Sequence, residues 1–153
     1  MQQAPQKGAA VIKNKREWVG PFLVRDLLAH SIDDSVPPPP EHGSAYLVSK
    51  NAWSGTPTSR CAPLYVGGNT GQSARFRARL GDGLADAFGF WVPRPGHHSG
   101  GESVHRWCRD NRINPLSLYR AWVARYRCLE VDLVRSLSPI LNRKNPARCK
   151  VHG

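Results

Sequence analysis

Apolar positions along this chain change their period several times, and each change marks an element. Between Glu17 and Ile32 the residues Val19, Phe22, Leu23, Leu27 and Leu28 recur at helical spacing. Gly20-Pro21 falls where a first helical turn tolerates proline, so the pattern predicts an N-terminal helix. Asp33 to Val36 and four consecutive prolines, Pro37 to Pro40, then interrupt it. Proline has no N–H and clashes with the preceding turn, so this stretch reads as a stiff extended connector. Ser44 to Lys50 reads as a strand. Asn51 to Pro63, rich in Gly, Pro, Ser and Thr, reads as a loop or wide hairpin, and Leu64 to Gly67 as a second strand.

Gly67-Gly68-Asn69-Thr70-Gly71 marks a sharp turn, after which Thr70 or Ser73 can cap a helix. Phe76, Leu80, Leu84 and Phe88 recur every four residues and predict that helix, with Gly81 and Gly83 as points for a bend. Trp91 to Gly101 reads as a loop and Ser103 to Arg112 as a short helix. From Leu116 to Ala124, Tyr119, Ala121 and Val123 alternate with Leu118, Arg120 and Trp122, the period of a third strand. Leu129, Leu133, Val134 and Leu137 give a last helix, stopped by Pro139. The expected fold class is α+β: a small three-stranded antiparallel sheet flanked by helices, with an added N-terminal helix. The expected division is a flexible basic arm over 1–16, the helix and proline-rich connector over 17–42, and a domain with a basic tail over 43–153.

Charge narrows the function. The chain has 153 residues, with 22 Lys and Arg against 11 Asp and Glu, a formal net charge of +11. That excess points to an anionic partner, most often nucleic acid. The start of the chain, Met1 to Lys7, has no apolar core for a signal peptide, and no apolar run reaches the ~20 residues of a membrane helix. A cytoplasmic protein with no membrane partner is therefore expected. Cys61, Cys108, Cys128 and Cys149 form no CxxC pair. Cys149 and His152 lack the second pair of a structural zinc site, so idle or buried thiols are the better reading.

Ala45-Tyr46-Leu47, Leu64-Tyr65-Val66-Gly67, Arg75-Phe76, Cys128-Leu129-Glu130 and Ser138-Pro139-Ile140-Leu141-Asn142 follow one another in the order of the motifs of the GIY-YIG nucleases, and the chain resembles that family over about residues 43–145. Ser44 departs from it, standing where the first motif has Gly. The long stretch from Gly81 to Pro115 and the extra N-terminal helix look more like its restriction-endonuclease branch. The resemblance implies a metal-dependent DNA endonuclease that hydrolyses phosphodiester bonds, in the restriction branch at a specific sequence. It implies catalytic roles for Tyr46, Tyr65, an arginine, Glu130 and Asn142. Three arginines, Arg75, Arg77 and Arg79, compete for the arginine's place. Arg75 fits the spacing without a gap and Arg79 needs an insertion.

The residue chemistry agrees with that expectation. Hydrolysis of a phosphodiester needs an activated water and relief of charge on the phosphate. Glu130 is the carboxylate expected to hold Mg²⁺ or another divalent cation such as Mn²⁺, which often needs only one or two carboxylates. Tyr46 is the expected general base, with Tyr65 positioning the water. A phenol pKa near ~10 requires help from the metal or from arginine. Arg75 or Arg79 would bind the scissile phosphate, and Asn142 would fix the Glu130 helix and the nearby loop. Arg77, His97, His98, Arg143, Lys144, Arg148 and Lys150 are expected to contact nucleic acid. Double-stranded DNA is the expected partner, and a homodimer is one way for single sites to cut both strands. Each residue has a plainer explanation: strand tyrosines packed by their rings, a solvated helix Glu, arginines on a basic face, a solvated histidine loop. The alternative for the whole chain is a non-catalytic basic nucleic-acid-binding module. A structural ribonucleoprotein component would need an RNA-stacking signature, and none stands out.

Overall fold

The computed structural model describes residues 18–29, 39, 41, 45–68, 75–90, 99–123 and 129–142. Their elements, in chain order, are β1 (Trp18–Leu23), α1 (Val24–Ala29), β2 (Ala45–Ser49), β3 (Pro63–Gly68), α2 (Phe76–Ala87), α3 (Ser99–Asn111), β4 (Tyr119–Val123) and α4 (Glu130–Leu137). Short 3-10 turns at Ser59–Cys61 and Pro115–Ser117 lead into β3 and β4. The class is α+β, as the alternation of periods predicts. Among the described residues, no helix is long and apolar enough to cross a membrane.

The sheet has four strands in the order β1-β4-β2-β3, and every pairing is antiparallel. All five residues of β2 are buried, because the strand has a neighbour on each side and packing on both faces. Register sorts the side chains, since residues paired across an antiparallel ladder share a face. Tyr46 lies opposite Gly67 on β3 and Trp122 on β4, and Val48 lies opposite Tyr65 and Arg120. That face meets the main apolar core, with Val24 from α1, Phe76, Leu80 and Ala87 from α2, and Val104 and Cys108 from α3. The opposite face, with Ala45, Leu47, Val66 and Val123, packs on Leu129 and on Leu133, Val134 and Leu137 of α4. The molecule is thus helix–sheet–helix, with the two-tyrosine face under α2 and α3.

The fourth strand corrects the expected count of three. Residues 18–23 form β1, not the first turns of a helix over 17–32. The apolar spacing there straddles a boundary. Val19 and Phe22 pack from a strand, Leu27 from α1, and the helical period is the sum of the two. Gly20 has φ +100, and a Cβ there would meet the Arg120 carbonyl, in a register shift between Val19 and Phe22. An edge-strand irregularity is where a residue without an N–H is tolerated, which accounts for Pro21. The sheet therefore begins at Trp18, upstream of the proline-rich stretch. A second correction concerns Ser99 to Gly101, read as loop, which form the first turn of α3. The 91–98 part of that loop and the basic arm over 1–16 lie outside the described residues.

Two glycines give opposite expectations. A Cβ at Gly67 would overlap the Tyr46 ring, which is 1% exposed. Gly67→Ala is expected to lower stability by about 1–3 kcal/mol, the usual range for overpacking. At Gly81, inside α2, a Cβ would have nothing within 4 Å of it. Gly81→Ala is therefore expected to raise stability by about 0.5–1 kcal/mol. Urea unfolding midpoints of the two variants measure both signs.

Candidate functional site

Four elements bring one group of polar side chains together at the β3 edge of the sheet. Tyr46 comes from β2, Tyr65 from β3, Arg79 from α2 and Glu130 from the first turn of α4. The two phenol rings lie 6.0 Å apart, tilted by 45°, and share a hydrogen bond. Phe76 backs Tyr46 at 6.4 Å between ring centroids. Gly67 leaves room for the Tyr46 ring, and Gly100, in the first turn of α3, leaves room for the Tyr65 ring. The close approach of backbone to aromatic ring explains a glycine at each place.

The groups feel one another electrostatically. Burial pushes the Tyr46 phenol well above its ordinary range; Tyr65 and Glu130 add to that, while Arg120 and Arg79 oppose it. Tyr65 is raised by burial and by Glu130, and lowered by Arg79 and by its bond from Tyr46. Glu130 is half-buried, and desolvation pushes its carboxyl up against the pull of Arg79. Tyr65 keeps part of its surface in solvent, whereas Tyr46 is enclosed. Tyr65 is the phenol a water can reach, and Tyr46 stands behind it as a hydrogen-bond donor.

The three arginines at α2 stand in different surroundings. Arg79 donates from Nη1 to the Gly68 carbonyl at 3.1 Å and couples to both phenols and Glu130. Arg75 stands at the exposed N-cap of α2, one turn earlier, and has no such coupling to the phenols or Glu130. Arg77 donates from Nε to the Pro39 carbonyl at 2.6 Å, which ties α2 to the proline-rich connector while the side chain remains exposed. His97, His98, Arg143, Lys144, Arg148 and Lys150 lie outside the described residues.

Asn142 acts on backbone. Its Oδ1 accepts from Val66 N–H at 2.9 Å and its Nδ2 donates to Val66 C=O at 2.8 Å. Leu141 N–H donates to Leu64 C=O at 2.9 Å. These bonds bracket Tyr65 on both sides and occupy the outer edge of β3, which otherwise exposes a row of unpaired backbone groups. The chain from Glu130 to Asn142 is thus fastened to the strand that carries Tyr65.

Arg120 was not among the candidate site residues expected from the sequence. It is 4% exposed, on the interior strand β4, and its Nη2 donates to the Gly83 carbonyl at 3.1 Å. Arg120 alternates in phase with Leu118 and Trp122, so it shares the face of β4 that packs under α2 and α3.

Divalent-metal chemistry depends on oxygen donors. Among the described residues, no group of three or more His, Cys, Asp or Glu side chains converges. Glu130 is the carboxylate in the coupled group, and Asp132 is exposed two residues further along α4. In comparisons with known proteins, no family model, no curated protein and no solved structure matches the chain.

Two stability measurements test this geometry. Asn142→Ala leaves the Val66 pair without its partner and is expected to cost about 1–3 kcal/mol. Asn142→Asp is expected to cost at least as much near neutral pH, because it sets a carboxylate oxygen against the Val66 carbonyl; chemical unfolding of the pair of variants gives the order. For Glu130, a raised carboxyl binds its proton more tightly in the folded chain than in the unfolded one. Ionising it therefore costs stability, and the loss grows as pH rises through the raised pKa. Glu130→Gln should melt above the wild type at about pH 8 in EDTA, and the two should converge below about pH 4.

Proposed function

We propose that the chain is a divalent-metal-dependent DNA endonuclease of GIY-YIG type. The observation that carries this reading is the coupled group itself. Two phenols, a guanidinium and a desolvated carboxylate, from positions 46, 65, 79 and 130, converge from four elements. A half-buried Glu whose charged form burial disfavours is a poor structural choice and a common functional one. The resemblance to the GIY-YIG nucleases implies a part in phosphodiester hydrolysis for Tyr46, Tyr65, Glu130 and one of Arg75 and Arg79.

On this reading Tyr65 takes the proton of the attacking water as its phenolate, having first released its own proton to solvent; burial and Glu130 oppose that ionisation, and Arg79 and the Tyr46 hydrogen bond favour it. Tyr46 donates a hydrogen bond to the Tyr65 oxygen and so favours the phenolate that a base requires. Arg79 spends one N–H on Gly68 and has others for the scissile phosphate, where its charge offsets charge that builds in the transition state. Glu130 would hold Mg²⁺ or Mn²⁺. One carboxylate fits that role, because Mg²⁺ keeps several waters and takes further oxygens from a phosphate. When bound, the cation supplies charge neutralisation and a more acidic water. Asn142 keeps Tyr65 and Glu130 in fixed relation. Arg75, one turn from Arg79 on an exposed helix face, contacts the DNA backbone, and the net charge of +11 supplies the field that gathers a polyanion. The enzyme works on double-stranded DNA in the cytoplasm, at a specific site if it belongs to the restriction branch. With one site per chain, a cut in both strands calls for two protomers or two binding events.

The test uses purified protein with plasmid and genomic DNA, in Mg²⁺, Mn²⁺ or EDTA. Cleavage is expected with metal and not in EDTA. Glu130→Ala and Tyr65→Phe should lower it by about 10²–10⁴-fold while DNA affinity changes little. Arg79→Ala should cut the single-turnover rate by about 10²–10³-fold. Arg75→Ala should instead weaken binding and reduce the salt slope by about 1. Binding without cutting in either metal would replace this reading with the non-catalytic module.

A further inference from the structure

Arg120 is an expensive residue where it stands. It is the second residue of the interior strand β4, buried in the core between the sheet and α2 and α3. Nη2 has the Gly83 carbonyl, whereas Nη1 is buried with no hydrogen-bond partner among the described residues. Among those residues, the carboxylate that couples to the phenols is Glu130, and none couples to Arg120. A buried charge with an unsatisfied N–H group destabilises a fold, and an apolar side chain of similar volume is often neutral or better. Packing alone does not account for an arginine here.

The register supplies an account. Tyr46 pairs with Trp122, so Arg120, two residues along β4, is the diagonal neighbour of Tyr46 on the same face. Tyr46 also pairs with Gly67, so Tyr65 is its diagonal neighbour on the other side. Diagonal neighbours on one face lie roughly 7–8 Å apart at the backbone, within reach of long and aromatic side chains. Tyr46 therefore sits between a buried guanidinium and the phenol that faces solvent. The head of Arg120 is also fixed, because Gly83 lies at the α2–α3 crossing, where the Gly101 backbone closes over it.

We infer that Arg120 is a positioning residue for Tyr65 that acts through Tyr46: its enclosed positive charge holds and polarises the Tyr46 hydroxyl, which in turn donates to Tyr65. This rests on the proposed nuclease reading and deepens it. Arg120 touches neither water nor DNA, since it is enclosed. Its charge interacts favourably with the ionised form of Tyr46, in line with a hydroxyl polarised toward donation. Three residues on three neighbouring strands then form one line of polarisation from core to surface, Arg120 to Tyr46 to Tyr65.

The experiment compares Arg120→Met, Arg120→Lys and Tyr46→Phe, singly and combined, in the full-length protein. Thermal melting and single-turnover DNA cleavage well below the melting midpoint are both read. Arg120→Met is expected to melt at or above the wild-type temperature, and yet to cleave about 10–100-fold more slowly, with the DNA concentration for half-maximal rate unchanged. Arg120→Lys keeps the charge and should recover part of that loss. In the Tyr46→Phe background, either Arg120 substitution should have no further effect on rate, because the hydroxyl it acts through is gone. A lower melting temperature with wild-type cleavage would make Arg120 purely structural and overturn the inference. So would losses that multiply across the Arg120 and Tyr46 changes. If Arg120→Met does not fold, the cycle of Arg120→Lys and Tyr46→Phe measures the same coupling. A wild-type protein that does not cut DNA would instead remove the nuclease reading, and the inference with it.

Discussion

The position of Tyr46 over Gly67 is the constraint on which the rest of the site depends. A strand pairing can slip, but a slip of one residue would turn every side chain of β2 to the other face. Here the Tyr46 ring occupies space that no residue with a Cβ would leave at position 67. That interlock sets β2 against β3. Once it is set, Tyr65 must fall opposite Val48, and through β2 the same register puts Arg120 and Trp122 of β4 on the Tyr46 face. The apolar clusters on the two faces of the sheet stabilise the layers but do not by themselves choose this register to the residue. A single ring-over-glycine contact translates hydrophobic packing into the placement of polar groups.

Those polar groups oppose the packing that holds them. Burial raises both phenols and Glu130 and lowers Arg120, and each shift marks a group whose charged form the fold disfavours. The stabilising interactions lie around them: the fully buried β2, the Asn142 pair on Val66, and the two apolar layers. Sites that must act on substrate are commonly built this way, with strain or desolvation concentrated in a few groups and offset by the scaffold. The scaffold is firmest where it matters. Tyr65 is bracketed by bonds at Leu64 and Val66, so the strand cannot shift while its phenol stays partly open to solvent.

Much of this architecture was legible in the order of residues, and the exceptions have physical causes. The strands at Tyr46 and Tyr65, the helix beginning near Phe76 and the helix after Leu129 follow from local period and turn chemistry, which act over a few residues. β1 was not legible, because a short edge strand followed at once by a short helix yields the apolar spacing of one longer helix. The bond from Arg79 to Gly68 was not legible either. Arg75 and Arg79 share one side of α2, and which of them bonds depends on where the Gly68 carbonyl lies at the end of β3. That Tyr46 is enclosed while Tyr65 stays partly open depends on which strand is interior, and that needs the β4 pairing, a contact with a strand far along the chain. Arg120 was visible as a charged residue in an apolar phase, but its meaning required the partner across the ladder.

A charge count around the pair of phenols brings these parts together. Arg79 and Arg120 stand against one carboxylate, Glu130, so the coupled group carries an excess of positive charge while both phenols are neutral. The two arginines are not equivalent. Arg79 is exposed at the surface side, where an anion can reach it, and Arg120 is enclosed behind Tyr46. On the proposed reading, an excess cation on the open side suits a phosphodiester, which would bring one negative charge there. A cation on the closed side cannot be neutralised by substrate, and its field falls on the Tyr46 hydroxyl in every state of the reaction. On the proposed reading, the first arginine responds to the substrate and the second holds the base ready before the substrate arrives, which is what preorganisation of a site means in electrostatic terms.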